Sequence, residues 1–293
     1  MDKSLKATFT YLTRSDKRTF LQLIKSIYLM KKNCKWGRKY DIIIFHEKNY
    51  SKVFKAIILK LFRKVKFIEI NLETPSDFKS IKYHDLTIGF GEGYRNMCRF
   101  FNSEFYKYLD KYDWYCRLDT DSFITEPINY DFFEFMKSYS FKYGYIAEIL
   151  DSPDVTIDLG DFMNTYFMTH GLKLTSRDLL FDSNIYNQRI FYTNFEVINL
   201  DFFKRNDVQC FLKAIDESGN IFKYRWGDAP LRTFLINAFL SNKEIIRFDD
   251  VGYKHYPYTQ SKTKISCEFT PEDWILNKKW LGTIKSHFRL DLN

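Results

Sequence analysis

The stretch Asp41-Ile42-Ile43-Ile44-Phe45 decides the fold class. A short, uninterrupted apolar run is what a strand buried on both faces presents, and such strands belong to sheets covered by helices on each side. The neighbouring sequence supplies the helices. Upstream, residues 6–12 read as a strand, and Ser15 is placed to cap a helix to about residue 32, with Phe20, Ile24, Ile27 and Tyr28 at helical spacing. Downstream, Phe54, Ile57, Ile58, Leu61 and Phe62 form the stripe of a second helix, and residues 66–70 read as a third strand. This alternation predicts an open α/β sheet with crossover helices.

Further along, residues 72–90 read as a loop, and Gly89, Gly91 and Gly93 precede a helix expected over about 93–110. Glycines there suit either a phosphate cradle or a plain helix-entry turn, and their spacing is not the dinucleotide fingerprint. Residues 113–118 read as a strand ending in Asp119-Thr120-Asp121. A strand is expected over 191–198, helices over about 199–216 and 228–240, and a strand near 244–248. There is no internal repeat, low-complexity segment or Pro/Gly/Ser linker, so one mixed α/β domain is the simplest account.

Composition agrees with a folded chain. Its 293 residues include 30 Phe and 21 Tyr, and 45% are hydrophobic, enough apolar area to offset the entropy of ordering. The net charge of +8 is spread along the chain. It is compatible with a solvated basic surface or with attraction of a phosphorylated small molecule, and no RNA-module signature points to a nucleic-acid partner. Five cysteines, at 34, 98, 116, 210 and 267, are an odd number without CxxC spacing, so neither a zinc ribbon nor a fully paired disulfide framework is implied. No apolar run reaches the roughly 18–20 residues that span a bilayer, so the chain is expected to be soluble and cytoplasmic as it stands.

In open α/β sheets, ligands bind beyond the carboxyl ends of the strands. Asp119 and Asp121 stand at such an end and offer two hard oxygen donors suited to Mg²⁺ or Mn²⁺. A cation there would neutralise charge on a departing nucleoside diphosphate. The alternative is a turn or cap, where Asp and Thr are common.

Five segments occur in order: Tyr94-Arg95-Asn96-Met97-Cys98-Arg99-Phe100, Tyr112-Asp113-Trp114-Tyr115-Cys116-Arg117-Leu118-Asp119-Thr120-Asp121, Asn194-Phe195-Glu196, Arg225-Trp226-Gly227-Asp228-Ala229-Pro230 and Gly252-Tyr253-Lys254-His255-Tyr256-Pro257. Together with Ala7-Thr8-Phe9 through Arg14, they resemble the fungal α-1,2-mannosyltransferase family, glycosyltransferase family 15. The resemblance implies a single GT-A-type domain with a Rossmann-like mixed sheet flanked by helices, divided into a nucleotide-binding part over about 1–125 and an acceptor-binding, catalytic part over about 126–293. It implies a GDP-mannose donor, Mn²⁺ or Mg²⁺, transfer with retention, and a glycan, glycoprotein or small hydroxyl acceptor. It assigns a metal-ligating carboxylate to Asp119, the other protein ligand to His255, the proposed nucleophile to Glu196, and a place close to the reacting sugar to Tyr94.

Each assignment also has a reading of its own. His255 stands among tyrosines, as a packed core histidine would, yet beside a carboxylate site an imidazole makes a good Mn²⁺ donor. Glu196 is either an outward-facing strand residue or a carboxylate held against an oxocarbenium-like centre. Asp228 is either the cap of an apolar helix or a partner for sugar hydroxyls, and Arg14, after the first strand, is placed to meet a nucleotide or phosphate. Tyr94, Tyr192, Trp226 and Tyr253 are candidate sugar-facing platforms as well as core residues. The family's triplet is usually Glu-Pro-Asp, so with the shorter Asp119 either the metal sits closer to the strand end, or Asp121 takes a share of the ligation, or a water fills the gap. Members of the family are usually anchored in the Golgi membrane, so a trimmed chain would belong to the Golgi lumen.

Overall fold

The computed structural model describes residues 5–174, 177–255, 258–261 and 265–266. Tyr256, Pro257 and Cys267 lie outside the described residues. The chain opens with β1 (Ala7–Thr13), α1 (Lys17–Asn33), β2 (Asp41–His46), α2 (Lys52–Leu61), β3 (Val65–Glu69), α3 (Glu92–Ser103), β4 (Trp114–Leu118) and β5 (Phe123–Ile124). It continues with α4 (Phe132–Ser138), β6 (Tyr143–Tyr145), β7 (Glu148–Leu150), α5 (Leu159–Thr169), α6 (Arg177–Leu180), β8 (Phe181–Asp182), β9 (Ile185–Tyr186), β10 (Arg189–Phe191) and β11 (Phe195–Asn199). Then come α7 (Asn206–Glu217), α8 (Asn220–Tyr224), α9 (Asp228–Phe239), β12 (Ile245–Arg247), β13 (Tyr253–His255), β14 (Tyr258–Gln260) and β15 (Ile265–Ser266).

The main sheet has seven strands in the order β12-β6-β11-β4-β1-β2-β3. It is mixed: β2 pairs with β3 in parallel, β12 with β6 in parallel, and β11 with β6 antiparallel. The result is a mixed α/β fold, a central mixed sheet flanked by helices. Contacts divide the chain into two compact units, each assembled from three segments.

The first unit comprises Phe9–Ile70, Leu118–Asp131 and Asp249–Asn293. Ile42, Ile43, Ile44 and Phe45 are all buried, as the apolar run requires. Helix α1 buries Phe20, Leu23, Ile24 and Ile27, each worth about 1.5–3 kcal/mol of transfer free energy. Its cap is Asp16, whose carboxylate accepts the Thr19 N–H at 2.9 Å. Ser15 instead accepts the Ser51 N–H at 2.9 Å, so the expected cap is displaced by one residue to the stronger acceptor. Strand β13 pairs antiparallel with β5, with Tyr253 opposite Ile124 and Lys254 opposite Phe123.

The second unit comprises Met1–Thr8, Asn71–Arg117 and Phe132–Phe248. Every residue of β11 is buried, and α9 buries ten of its twelve residues. The strand expected over 191–198 is two strands. Strand β10 pairs with β7 in a small sheet and β11 with β6 in the main one, and Tyr192-Thr193-Asn194 make the crossing. The helix expected over 93–110 ends at Ser103 and gives way to a 3-10 turn over Phe105–Tyr108. Residues 123–190, without helical or alternating periodicity, hold strands of two or three residues that sequence reading did not find.

Candidate active site

In the first unit, Asp119-Thr120-Asp121 follows β4 directly. The turn is closed by the Ser122 N–H donating to the Asp119 carbonyl at 3.0 Å, and the Asp119 N–H donates to Ser122 Oγ at 3.2 Å. The β5–β13 register brings His255 alongside, and its Nε2 lies 3.2 Å from Asp121 Oδ1. Burial raises the Asp121 pKa, but the His255 hydrogen bond and charge outweigh it and hold the carboxyl below its ordinary value.

No three His, Cys, Asp or Glu side chains gather into a metal-binding group among the described residues. The Asp121–His255 pair fits a divalent cation on donor chemistry, combining a hard oxygen with an imidazole nitrogen. Its spacing fits as well, because two ligand atoms bound at about 2.1 Å and at right angles lie about 3 Å apart. Arg14 pairs with Asp16 at 2.8 Å and has a side chain 78% exposed, so here it supports the helix cap. His46, which sequence reading passed over, ends β2 almost wholly buried. Its Nδ1 meets the Glu47 carbonyl at 2.7 Å, and its Nε2 takes no hydrogen bond among the described residues.

In the second unit, Glu196 is 0% exposed. The Tyr115 hydroxyl donates to its Oε1, and Arg232 Nε lies 3.2 Å from its Oε2, a charge contact without hydrogen-bond alignment. Burial, then the Glu196 charge, push the Tyr115 and Tyr143 hydroxyls well above their ordinary pKa. Burial alone would lower the Arg232 pKa, and Glu196 reverses that. Glu196 points neither outward nor into a cleft; it is the counter-ion of a buried arginine.

Asp228 differs. It is the first residue of α9, and Gly227 takes the cap position, so the expected capping role is absent. Its Oδ2 receives Arg117 Nη1 and the Thr193 hydroxyl, the latter at 3.0 Å, while Oδ1 accepts no hydrogen bond among the described residues. Burial raises its pKa, but the charge and hydrogen bond of Arg117 and the bond from Thr193 bring it below the ordinary value. Nearby, the Arg225 guanidinium lies 4.3 Å from the Tyr94 ring centre and 4.4 Å from that of Phe90. Tyr94 is 39% exposed. Although the residue as a whole is partly exposed, desolvation of its hydroxyl end, then Cys98, push that group's pKa up, with Asp228 and Asp151 adding to this and Arg225 opposing it. Asp151 is itself raised, by burial first and by Asp228.

The second unit thus brings Tyr94 and Asp228 into one electrostatic neighbourhood, and the first brings Asp121 and His255 together. Trp226 and Tyr253 are core residues rather than platforms: both are 0% exposed, and Trp226 Nε1 donates to the Ile157 carbonyl at 2.8 Å. Sequence reading missed Arg117, Thr193, Arg225 and Asp151. An arginine inside the apolar strand before Asp119 was the visible signal, since such a charge requires a buried partner.

The family model described as glycolipid 2-alpha-mannosyltransferase matches residues 1–283. Glycolipid 2-alpha-mannosyltransferase 2 of Candida albicans is 30% identical over 92% of this chain and 61% of its own length. The probable mannosyltransferase KTR3 of Saccharomyces cerevisiae is 29% identical over 87% of this chain and 67% of its own. The chain thus spans about three fifths to two thirds of these relatives. The X-ray structure of the mannosyltransferase Ktr4p from S. cerevisiae in complex with GDP has a TM-score of 0.81 and 26% identity, over 92% of this chain and 78% of that one. The Mn/GDP form of core-mannan synthase A from Aspergillus fumigatus, at 23% identity and a TM-score of 0.78 over 97% and 86%, shares the fold. On the family match across nearly its whole length, the chain belongs to the glycolipid 2-alpha-mannosyltransferase family.

Proposed function

We propose that this chain transfers mannose from GDP-mannose to a hydroxyl of a glycan or small acceptor, with a divalent cation, Mn²⁺ first, and with retention at the anomeric carbon. The observation that carries the reading is the Asp121–His255 pair, 3.2 Å apart just past the carboxyl end of β4. Family membership and the GDP complex of yeast Ktr4p support it. Asp121 and His255, with Asp119 two residues earlier, would hold the cation. A cation bound there supplies neutralisation of the charge on the departing diphosphate.

Asp228 is the carboxylate suited to face the sugar. Arg117 keeps it ionised, and its open Oδ1 can meet the positive charge that develops at the anomeric carbon. Tyr94, held protonated, acts as a hydroxyl donor. Asp151, the carboxyl pushed the other way, is the better proton acceptor for an incoming hydroxyl. Glu196, out of reach of any sugar in this structure, positions the site through Arg232 and Tyr115. Incubation with a panel of nucleotide sugars, Mn²⁺ and mannoside acceptors should release GDP from GDP-mannose, and nuclear magnetic resonance of the product should show an α linkage. Absence of nucleotide release with every donor overturns the reading.

A further inference from the structure

The second unit carries a cavity with no task in this reaction. Helix α9 packs on β10 and ends at Phe239. Beyond that end, the turn at Asn242 and the edge strand β12 close a cavity of about 240 Å³ against β6, β7 and β10. At roughly 30 Å³ per water it has room for about eight. It is smaller than the roughly 300–1,000 Å³ of pockets for drug-sized ligands, so it suits one sugar ring and excludes a nucleotide.

The lining has the chemistry of polyol recognition. Asn237, on α9, lines the cavity and is 1% exposed. Its amide nitrogen donates to the Thr233 carbonyl at 2.9 Å, while its Oδ1 accepts no hydrogen bond among the described residues. A buried acceptor left so calls for a donor from within the cavity. Glu148 enters with its charge compensated, receiving the Tyr145 hydroxyl at 2.6 Å and Arg189 Nη1 at 3.4 Å, and retains lone pairs for further donors. Arg247 is the other charged residue of the lining, which itself carries one charge of each sign. Tyr145 and Phe191, stacked with ring centres 4.2 Å apart, belong to the apolar part of the lining.

We propose that this cavity binds one neutral hexose unit of a glycan, away from the reacting centre. Asn237 lies nine residues along α9 from Asp228, a rise of about 13 Å, so the two ends of one buried helix serve different sugars. The assignment rests on the transferase reading in one respect: the hexose held here is a non-reacting residue of the acceptor.

The test measures α-1,2-linked mannotriose binding to the full chain, without donor or metal, by ligand-observed nuclear magnetic resonance. Wild type should bind. Asn242→Ala, on the exposed turn, should weaken binding about fivefold for one lost hydrogen bond. Ile245→Trp, which fills the cavity, should abolish it. If Ile245→Trp fails to fold, Glu148→Gln takes its place beside Asn242→Ala, with about the same fivefold loss expected. No binding to wild type overturns the proposal. So does undiminished binding by the cavity variants, which would put the sugar elsewhere. GDP release without mannotriose binding leaves the transferase reading standing and removes this site. Cavity-dependent binding without GDP release does the reverse, and marks a glycan-binding protein.

Discussion

Arg117 sits in a five-residue strand whose side chains are all buried, and it is tolerable there because Asp228 lies against it. Removing one partner of such a pair leaves an uncompensated buried charge, so Arg117→Met should destabilise the protein by about 3–5 kcal/mol, read as a lower urea midpoint. The pair also sets an acid limit. The Asp228 pKa is depressed in the folded state, so its contribution is fully present above the unfolded value of 3.8 and is lost as pH falls through the folded one. Asp228→Asn should abolish that acid-side loss and cut GDP release at least 100-fold; a variant that releases GDP at the wild-type rate removes Asp228 from the chemistry. At Glu196, burial against Arg232 predicts that Glu196→Ala costs about 3–5 kcal/mol. Native stability with activity lost would instead restore a direct role at the sugar.

At the scale of elements, β6 is short and crowded. A Cβ on Gly144 would stand 2.5 Å from Phe248 Cε2 and 3.2 Å from Met136 Sδ, and both neighbours are buried. Gly144→Ala should therefore cost about 1–3 kcal/mol by chemical denaturation, and Phe248→Leu in the same chain should recover part of it. If Gly144→Ala is neutral, the packing of β6 against Phe248 is not as described. Strands β1 to β4 were legible because each is a run of apolar or β-branched residues followed by a helical stripe or a turn. Strands β5 to β10 were not, because two or three residues cannot display a period, and the pairing that makes them strands comes from partners distant in sequence. Asp16 was overlooked as a cap because Ser15 and Asp16 are both good caps, and which one is used depends on where the backbone turns.

At the scale of the molecule, charge and thiols give tests that need no acceptor. Anything that binds the folded state alone raises its melting temperature, so GDP with Mn²⁺ at about a hundred times its dissociation constant should add about 2.7 kcal/mol. His255→Ala should remove the Mn²⁺-dependent part of that gain; an unchanged gain would clear His255 of metal binding. Among the described cysteines, Cys34, Cys98 and Cys116 are buried and Cys210 is exposed. Burial pushes the Cys98 thiol up to about 12. Peptide mapping after brief treatment with iodoacetamide should find Cys210 labelled and those three labelled only in urea. Among the described residues no helix is long and apolar enough to cross a membrane.

The sequence by itself determined the α/β class and the ordered motifs that carry the family, because apolar runs, helical stripes and spaced side chains are local properties of the chain. It also located Asp121 and His255, each within a recognisable segment. Only the tertiary structure decided how each carboxylate is held. Glu196 and Asp228 look equally chemical in one dimension. Glu196 is sealed against Arg232 and Tyr115, whereas Asp228, also buried, has one oxygen that accepts no hydrogen bond among the described residues, in the neighbourhood of Tyr94 and Arg225. Burial depends on what packs against a residue from distant parts of the chain, and ionisation follows burial and neighbouring charge.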